Sequence, residues 1–180
     1  KERLFGLGNS EGNHGEDVKE LYYYLDNIPS HYYMQMLYKY PQRAFPYALL
    51  REQNAIRSKL EPEYELLDTG VCDDNRYFDV YITYAKQSKK DIAIKIEVVN
   101  RGAQAAPITV LPTLWFFNRW QQGGERLNRK PSLKYMNDQT VKAQHERLGG
   151  YYFYFQKPSK LLFTENETNF FKLDGRVQES

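Results

Sequence analysis

The sequence predicts a mainly β fold, an antiparallel β-sandwich with one or two helices near residues 30–60. Three observations carry this. Phe78, Val80, Ile82 and Tyr84 alternate with Tyr77, Asp79, Tyr81 and Thr83, and Ile92, Ile94, Ile96 and Val98 alternate with Ala93, Lys95, Glu97 and Val99. A period of two turns one face of each strand toward a core and leaves the other partly wet. Ser88-Lys89-Lys90 and Asn100-Arg101-Gly102 supply tight turns beside these strands, which describes an antiparallel meander and so a sandwich. The aromatic share is 16%, with 16 Tyr against 10 Phe and 2 Trp. Tyrosine, apolar with a polar tip, suits half-buried strands and sugar-binding surfaces alike.

The elements follow in chain order. Residues 1–16 hold Gly6, Gly8, Gly12 and Gly15 and form no regular element. Their spacing lacks the strand, helix and Lys-Ser/Thr pair of a phosphate-binding loop. Val18–Leu25 reads as a strand, stopped by Asn27-Ile28-Pro29. Ser30 is placed to cap a short helix through Lys39, although the tyrosine content keeps a strand open there. Pro46 fits the first position of a helix over Tyr47–Lys59. Asp73-Asp74-Asn75 makes a turn before the two alternating strands. Ile108–Phe117 is expected as a strand apolar on both faces, hence centrally placed. Trp120–Lys130 is a polar loop. Leu133–Tyr135, Val141–Gln144, Tyr151–Gln156 and Leu161–Thr164 read as short strands, with turns at Gly149-Gly150 and Lys157-Pro158-Ser159.

A length of 180 residues fits one domain. Twenty-five basic and 23 acidic residues give a net charge of +2, which predicts no strong pull toward nucleic acid or an anionic membrane. The Tyr38-Lys39-Tyr40 triplet does not override that balance. Cys72 is the single cysteine, so internal disulfides and Cys-based zinc are excluded, and it reads as a small buried hydrophobe. No apolar run approaches the roughly 20 residues of a membrane span. The chain opens Lys1-Glu2-Arg3 with no signal peptide after it, and is expected to be an internal segment of a longer cytoplasmic protein.

Residues 11–20 (EGNHGEDVKE) are the densest polar cluster. His14, Glu16 and Asp17 match no metal-ligand spacing, and neither metal nor cofactor is expected. Adjacent Glu16 and Asp17 point to opposite faces of a strand, so they cannot flank one glycosidic bond. No Gly-x-Ser-x-Gly elbow exists, and His14, His31 and His145 lie in unrelated contexts, the last two as partly exposed structural residues. The stretch 111–120 (LPTLWFFNRW) offers ring faces beside polar groups, the combination that sugars require. Trp115 is expected in the core, with Arg119 or Trp120 at the surface. The Asn166-Glu167-Thr168 glycosylation triplet is read as chance.

Leu4-Phe5-Gly6-Leu7, the 11–20 cluster, residues 38–42 (YKYPQ), 63–70 (EYELLDTG), 76–80 (RYFDV) and 111–116 (LPTLWF) occur in this order. Together they resemble the N-terminal region of microbial proteins related to mannosyl-oligosaccharide glucosidases, glycoside hydrolase family 63. The resemblance implies an incomplete N-terminal β-supersandwich over residues 1–180, followed elsewhere by an (α/α)6 barrel. That barrel would hold the acid and base of inverting hydrolysis, whose carboxyls stand roughly 6.5–9.5 Å apart. It implies no catalytic residue in this chain. His14, Glu16, Asp17, Lys19, Asn118, Arg119 and Trp120 then become candidate substrate or domain-interface contacts at the barrel mouth. The expected partners are the chain's own barrel and an oligosaccharide substrate, with a homodimer of the isolated piece through an unpaired sandwich edge. A stand-alone carbohydrate-binding module and a structural or oligomerising sandwich are the alternatives.

Overall fold

The computed structural model describes residues 2–5, 19–118, 120, 129–156, 158 and 160–167, with the backbone alone for 2–5, 19 and 20. Among the described residues the fold is mainly β, with two antiparallel sheets and one α-helix, as the alternation predicts. The chain divides into two compact units, one of residues 1–109 with 171–180 and one of residues 110–170.

The first unit holds a five-stranded meander of β1 (Glu2–Phe5), β2 (Lys19–Asn27), β3 (Tyr33–Pro41), β4 (Tyr77–Ser88) and β5 (Asp91–Asn100), in that order. The helix considered for Ser30–Lys39 is instead β3. His31 sits at φ 54°, which ends any helical course from Ser30. The alternation of Met34, Met36 and Tyr38 with Gln35, Leu37 and Lys39 is satisfied by ladders to β2 and β4 on either side. Bulges interrupt the β2–β3 register between Tyr24 and Asp26 and the β4–β5 register between Lys86 and Ser88.

Residues 42–76 connect β3 to β4 and cover one face of this sheet. Helix α1 (Tyr47–Ile56) places Leu50 against Leu21 of β2, with Leu66 and Val71 completing a buried cluster and Cys72 packed beside it. Burial pushes the Cys72 thiol up, which keeps it a neutral, half-buried apolar group. Pro46 is the N-cap of α1 rather than its first helical residue, and the helix stops at Ile56, not Lys59. Its end is physical. Asn54 turns its amide onto the Tyr64 backbone (Nδ2 to Tyr64 O 3.0 Å, Tyr64 N to Oδ1 2.7 Å), while Arg57 turns extended and donates to Pro62 O at 2.6 Å. A 3-10 turn at Leu66–Thr69 closes on Gly70 at φ 68°, where an added Cβ would lie 2.7 Å from Asp73 Oδ2. Only glycine fits that turn without strain. The chain turns at Asp73–Asn75 as expected from sequence, with Asp74 and Asn75 in left-handed backbone at φ 58° and 55°.

At the centre of the covered face Asp79 is 3% exposed. Lys39 Nζ donates to its Oδ1 at 2.7 Å and Arg101 Nε to its Oδ2 at 2.6 Å. Burial alone would raise the Asp79 pKa, but the hydrogen bonds and charges of Lys39 and Arg101 outweigh it and hold the carboxyl below its usual range. Lys39 also lies 4.2 Å from the Tyr77 ring centre, and Arg101 reaches Tyr81 Oη at 3.3 Å.

Two expectations fail in packing rather than in secondary structure. Strand β5 was expected to bury one face, yet Ile92 and Ile94 are 50% and 46% exposed. Among the described residues β5 pairs with β4 alone, so it is a sheet edge. Ile108–Phe117 was expected as a buried central strand. It joins no ladder, and Val110, Leu111, Leu114, Trp115 and Phe117 are all exposed. Pro112 removes one of the amide donors a ladder would need, and Pro107 stands immediately before the segment.

The second unit contains a meander of β6 (Ser132–Asn137), β7 (Thr140–His145) and β8 (Gly149–Tyr154). Val141 and Ala143 are its buried residues. Asn137 Oδ1 accepts from Gln139 N at 2.9 Å in the first hairpin. In the second, a three-residue loop ends at Gly149 with φ 77°, so Gly149-Gly150 opens β8 instead of forming the turn. Leu161–Thr164 forms no strand. Among the described residues no helix is long and apolar enough to cross a membrane.

Asp79→Asn should lower stability by about 2–3 kcal/mol, because it leaves the half-buried Lys39 without its carboxylate. The folded-state pKa of Asp79 lies below its unfolded value. Its contribution is therefore complete above the unfolded value and is lost as pH falls through the folded one. Urea titrations between pH 2 and 7 should show an acid-limb loss of stability that is reduced in the variant.

Candidate functional site

The second unit carries a cleft of about 460 Å³, lined by Trp115, Phe116, Phe117, Trp120, Arg129, Pro131 and the β7–β8 loop residues His145–Leu148. Residues 115–117 belong to no strand or helix. Trp115 is 64% and Phe117 67% exposed, whereas Phe116 is half-buried and stacks on His145 with ring centres 5.8 Å apart. The core position expected for Trp115 is therefore corrected: the ring that turns inward is Phe116. Alternation alone cannot say which of two adjacent aromatic residues faces inward.

The segment is anchored by an amide far along the chain. Asn166 Oδ1 accepts from Phe116 N at 2.8 Å and its Nδ2 donates to Phe116 O at 3.0 Å, so one side chain replaces a strand partner. Asn166 itself sits at φ 56°, a conformation asparagine tolerates better than most residues. The amide of the Asn166-Glu167-Thr168 triplet is thus committed to the backbone and half-buried.

Trp120 is fixed by its indole N–H, which donates to Glu167 Oε1 at 3.0 Å. Lys130 Nζ lies 2.7 Å from the same oxygen and 2.7 Å from Glu165 Oε2. The Lys130 hydrogen bond, reinforced by that of Trp120, holds the Glu167 carboxyl below its usual range. His145 Nδ1 accepts from Arg147 N at 3.1 Å and from Leu148 N at 3.3 Å. That nitrogen therefore carries no proton, and the ring shapes the loop bearing Glu146 and Arg147.

Of the residues singled out in sequence, the structure brings Trp120 into this cleft and Asn118 beside it, the Asn118 Nδ2 donating to Asn166 O at 3.4 Å. Lys19 begins β2 in the first unit. His14, Glu16, Asp17 and Arg119 lie outside the described residues. Sequence reading missed Arg129, Glu146, Arg147 and Asn166. Only the Gly149-Gly150 signal beside 145–148 hinted at a presented loop.

No protein-family model and no solved structure matches the chain. It is 37% identical over 207 residues to the uncharacterized protein YMR196W of Saccharomyces cerevisiae, a match that takes in 96% of this chain and 19% of the relative. The chain thus spans about a fifth of that relative's length. The resemblance to glycoside hydrolase family 63 is corrected on this finding: no family model matches, and the relative's name carries no glucosidase activity.

Glu167→Gln should remove the acid-side change in Trp120 emission. Because the Glu167 carboxyl titrates below its usual range, emission in a Trp115→Phe background should stay flat above about pH 5 and shift only below the ordinary glutamate value near 4.3. Asn166→Ala should cost about 2 kcal/mol, two backbone hydrogen bonds at about 1 kcal/mol each, and thermal unfolding measures it.

Proposed function

We propose that this chain is a non-catalytic β module that binds an oligosaccharide through the Trp115–Phe117 cleft. The observation that carries the reading is the pair of exposed rings, Trp115 and Phe117, that flank the Asn166-anchored Phe116 and line a cleft together with Arg129, Glu146 and Arg147. A pyranose presents C–H faces that stack on rings and hydroxyl edges that need directed donors and acceptors. Both are supplied here: apolar planes from Trp115 and Phe117, donors from two guanidinium groups, acceptors from one carboxylate.

A binding role fits the chemistry better than a hydrolytic one. Glu146 is the one carboxylate among the described lining residues, and glycoside hydrolysis needs two. The neighbouring His145 has its Nδ1 committed to loop amides. The reading carries with it a cytoplasmic setting and a soluble glycan as the occupant.

Titration with gluco-, manno- and chito-oligosaccharides should quench or shift tryptophan emission for one of these classes, with calorimetry giving the affinity. Trp115→Ala and Phe117→Ala should each weaken binding about tenfold, since a stacked ring contributes on the order of 1 kcal/mol beyond its area. Absence of binding at millimolar concentration of every class would overturn the reading.

A further inference from the structure

The first sheet has two faces of different character. One lies under residues 42–76 and centres on Leu21 and Asp79. On the other, the pairings place Tyr24, Met36, Ile82 and Ile96 in one row across β2–β5, and Tyr84 beside Ile94 in the next. Directly opposed residues of antiparallel strands share a face, so these six side chains form one apolar surface. It spans three strand spacings, about 14 Å at about 4.8 Å each. Tyr24 is 53% exposed, Tyr84 and Ile94 are also exposed, and Met36, Ile82 and Ile96 are half-buried. At one end it runs into the buried pair Phe78 and Val80.

We infer that this face is the seat of a second apolar layer supplied by the same, longer polypeptide, as a partner for β2–β5. Two observations select that occupant. The six residues carry no charge, and the composition is that of a permanent interface rather than a transient one, whose surface is more polar. The yeast relative matches 96% of this chain within 19% of its own length, so there the matched region is joined to the other four-fifths of the polypeptide. A tethered layer acts at an effective concentration in the millimolar range, far above that of a free second copy. The inference is independent of the sugar-binding reading, which concerns the other unit.

The test uses the native protein recovered from its source cells with an antibody to this chain. Its polypeptide mass is measured under denaturing conditions, and carbene footprinting compares the folded protein with the same protein in urea. Tyr24, Tyr84, Met36 and Ile94 should be protected several-fold in the folded protein, Leu60, 96% exposed, should label equally in both states, and the mass should exceed 21.4 kDa. Two results would each overturn the inference. One is strong labelling of these residues in the folded native protein. The other is protection in a polypeptide of 21.4 kDa, which would assign the face to a second copy or a separate protein.

Discussion

The first unit depends on one buried carboxylate. Asp79 stands near the start of β4 between Phe78 and Val80, and all three are buried. A charge there is tolerable only because two cations reach it, Lys39 from β3 and Arg101 from the turn after β5. These contacts tie the register of β3 on β4 to the point where the chain leaves β5. A one-residue slip of β3 would carry Lys39 to the opposite face and strand Asp79 without it. The meander is therefore specified by the polar centre as much as by the apolar cluster around Leu21 and Leu50.

A second device recurs in both units. Asn54 closes on the Tyr64 backbone and Asn166 on the Phe116 backbone, each accepting one N–H and donating to one C=O. Each satisfies a stretch of chain that has no strand beside it, as extended backbone requires. The consequence differs with place. At Tyr64 the clamp folds the long connection against the sheet. At Phe116 it anchors the residue between the exposed Trp115 and Phe117, so the lining of the cleft depends on an amide 50 residues away.

How far the sequence could be read follows from this distinction between local and distant causes. Period-two alternation is local, and β4 and β5 were found from it almost residue by residue. The Pro46 signal likewise located the helix. Burial is not local. The alternation of Ile92 and Ile94 announces an apolar face but not whether anything lies on it, and Ile108–Phe117 looks like a core strand although Pro112 denies the ladder a donor. Ser30–Lys39 was ambiguous for the same reason, because tyrosine-rich sequence becomes strand when neighbours on both sides offer pairing. The cleft was half visible: Trp120 and Asn118 lay in an aromatic run, but Arg129, Glu146 and Arg147 reach it only through the folding of distant hairpins. Motif order alone suggested a hydrolase family that the comparisons did not return.

The two uncovered surfaces differ in ways that separate their roles. The face of β2–β5 is built from Ile, Met and Tyr side chains on a regular ladder, flat and without charge, and a flat aliphatic surface gains most from another packed layer. The cleft of the second unit sets two exposed rings among guanidinium and carboxylate groups on loops, which leaves directed hydrogen bonds available at its rim. A packed protein layer would have to desolvate those charges without satisfying them, at a cost that a hydroxyl-rich ligand does not incur. Burial thus favours a polypeptide on the first surface and a small polar ligand on the second, and the two need not compete.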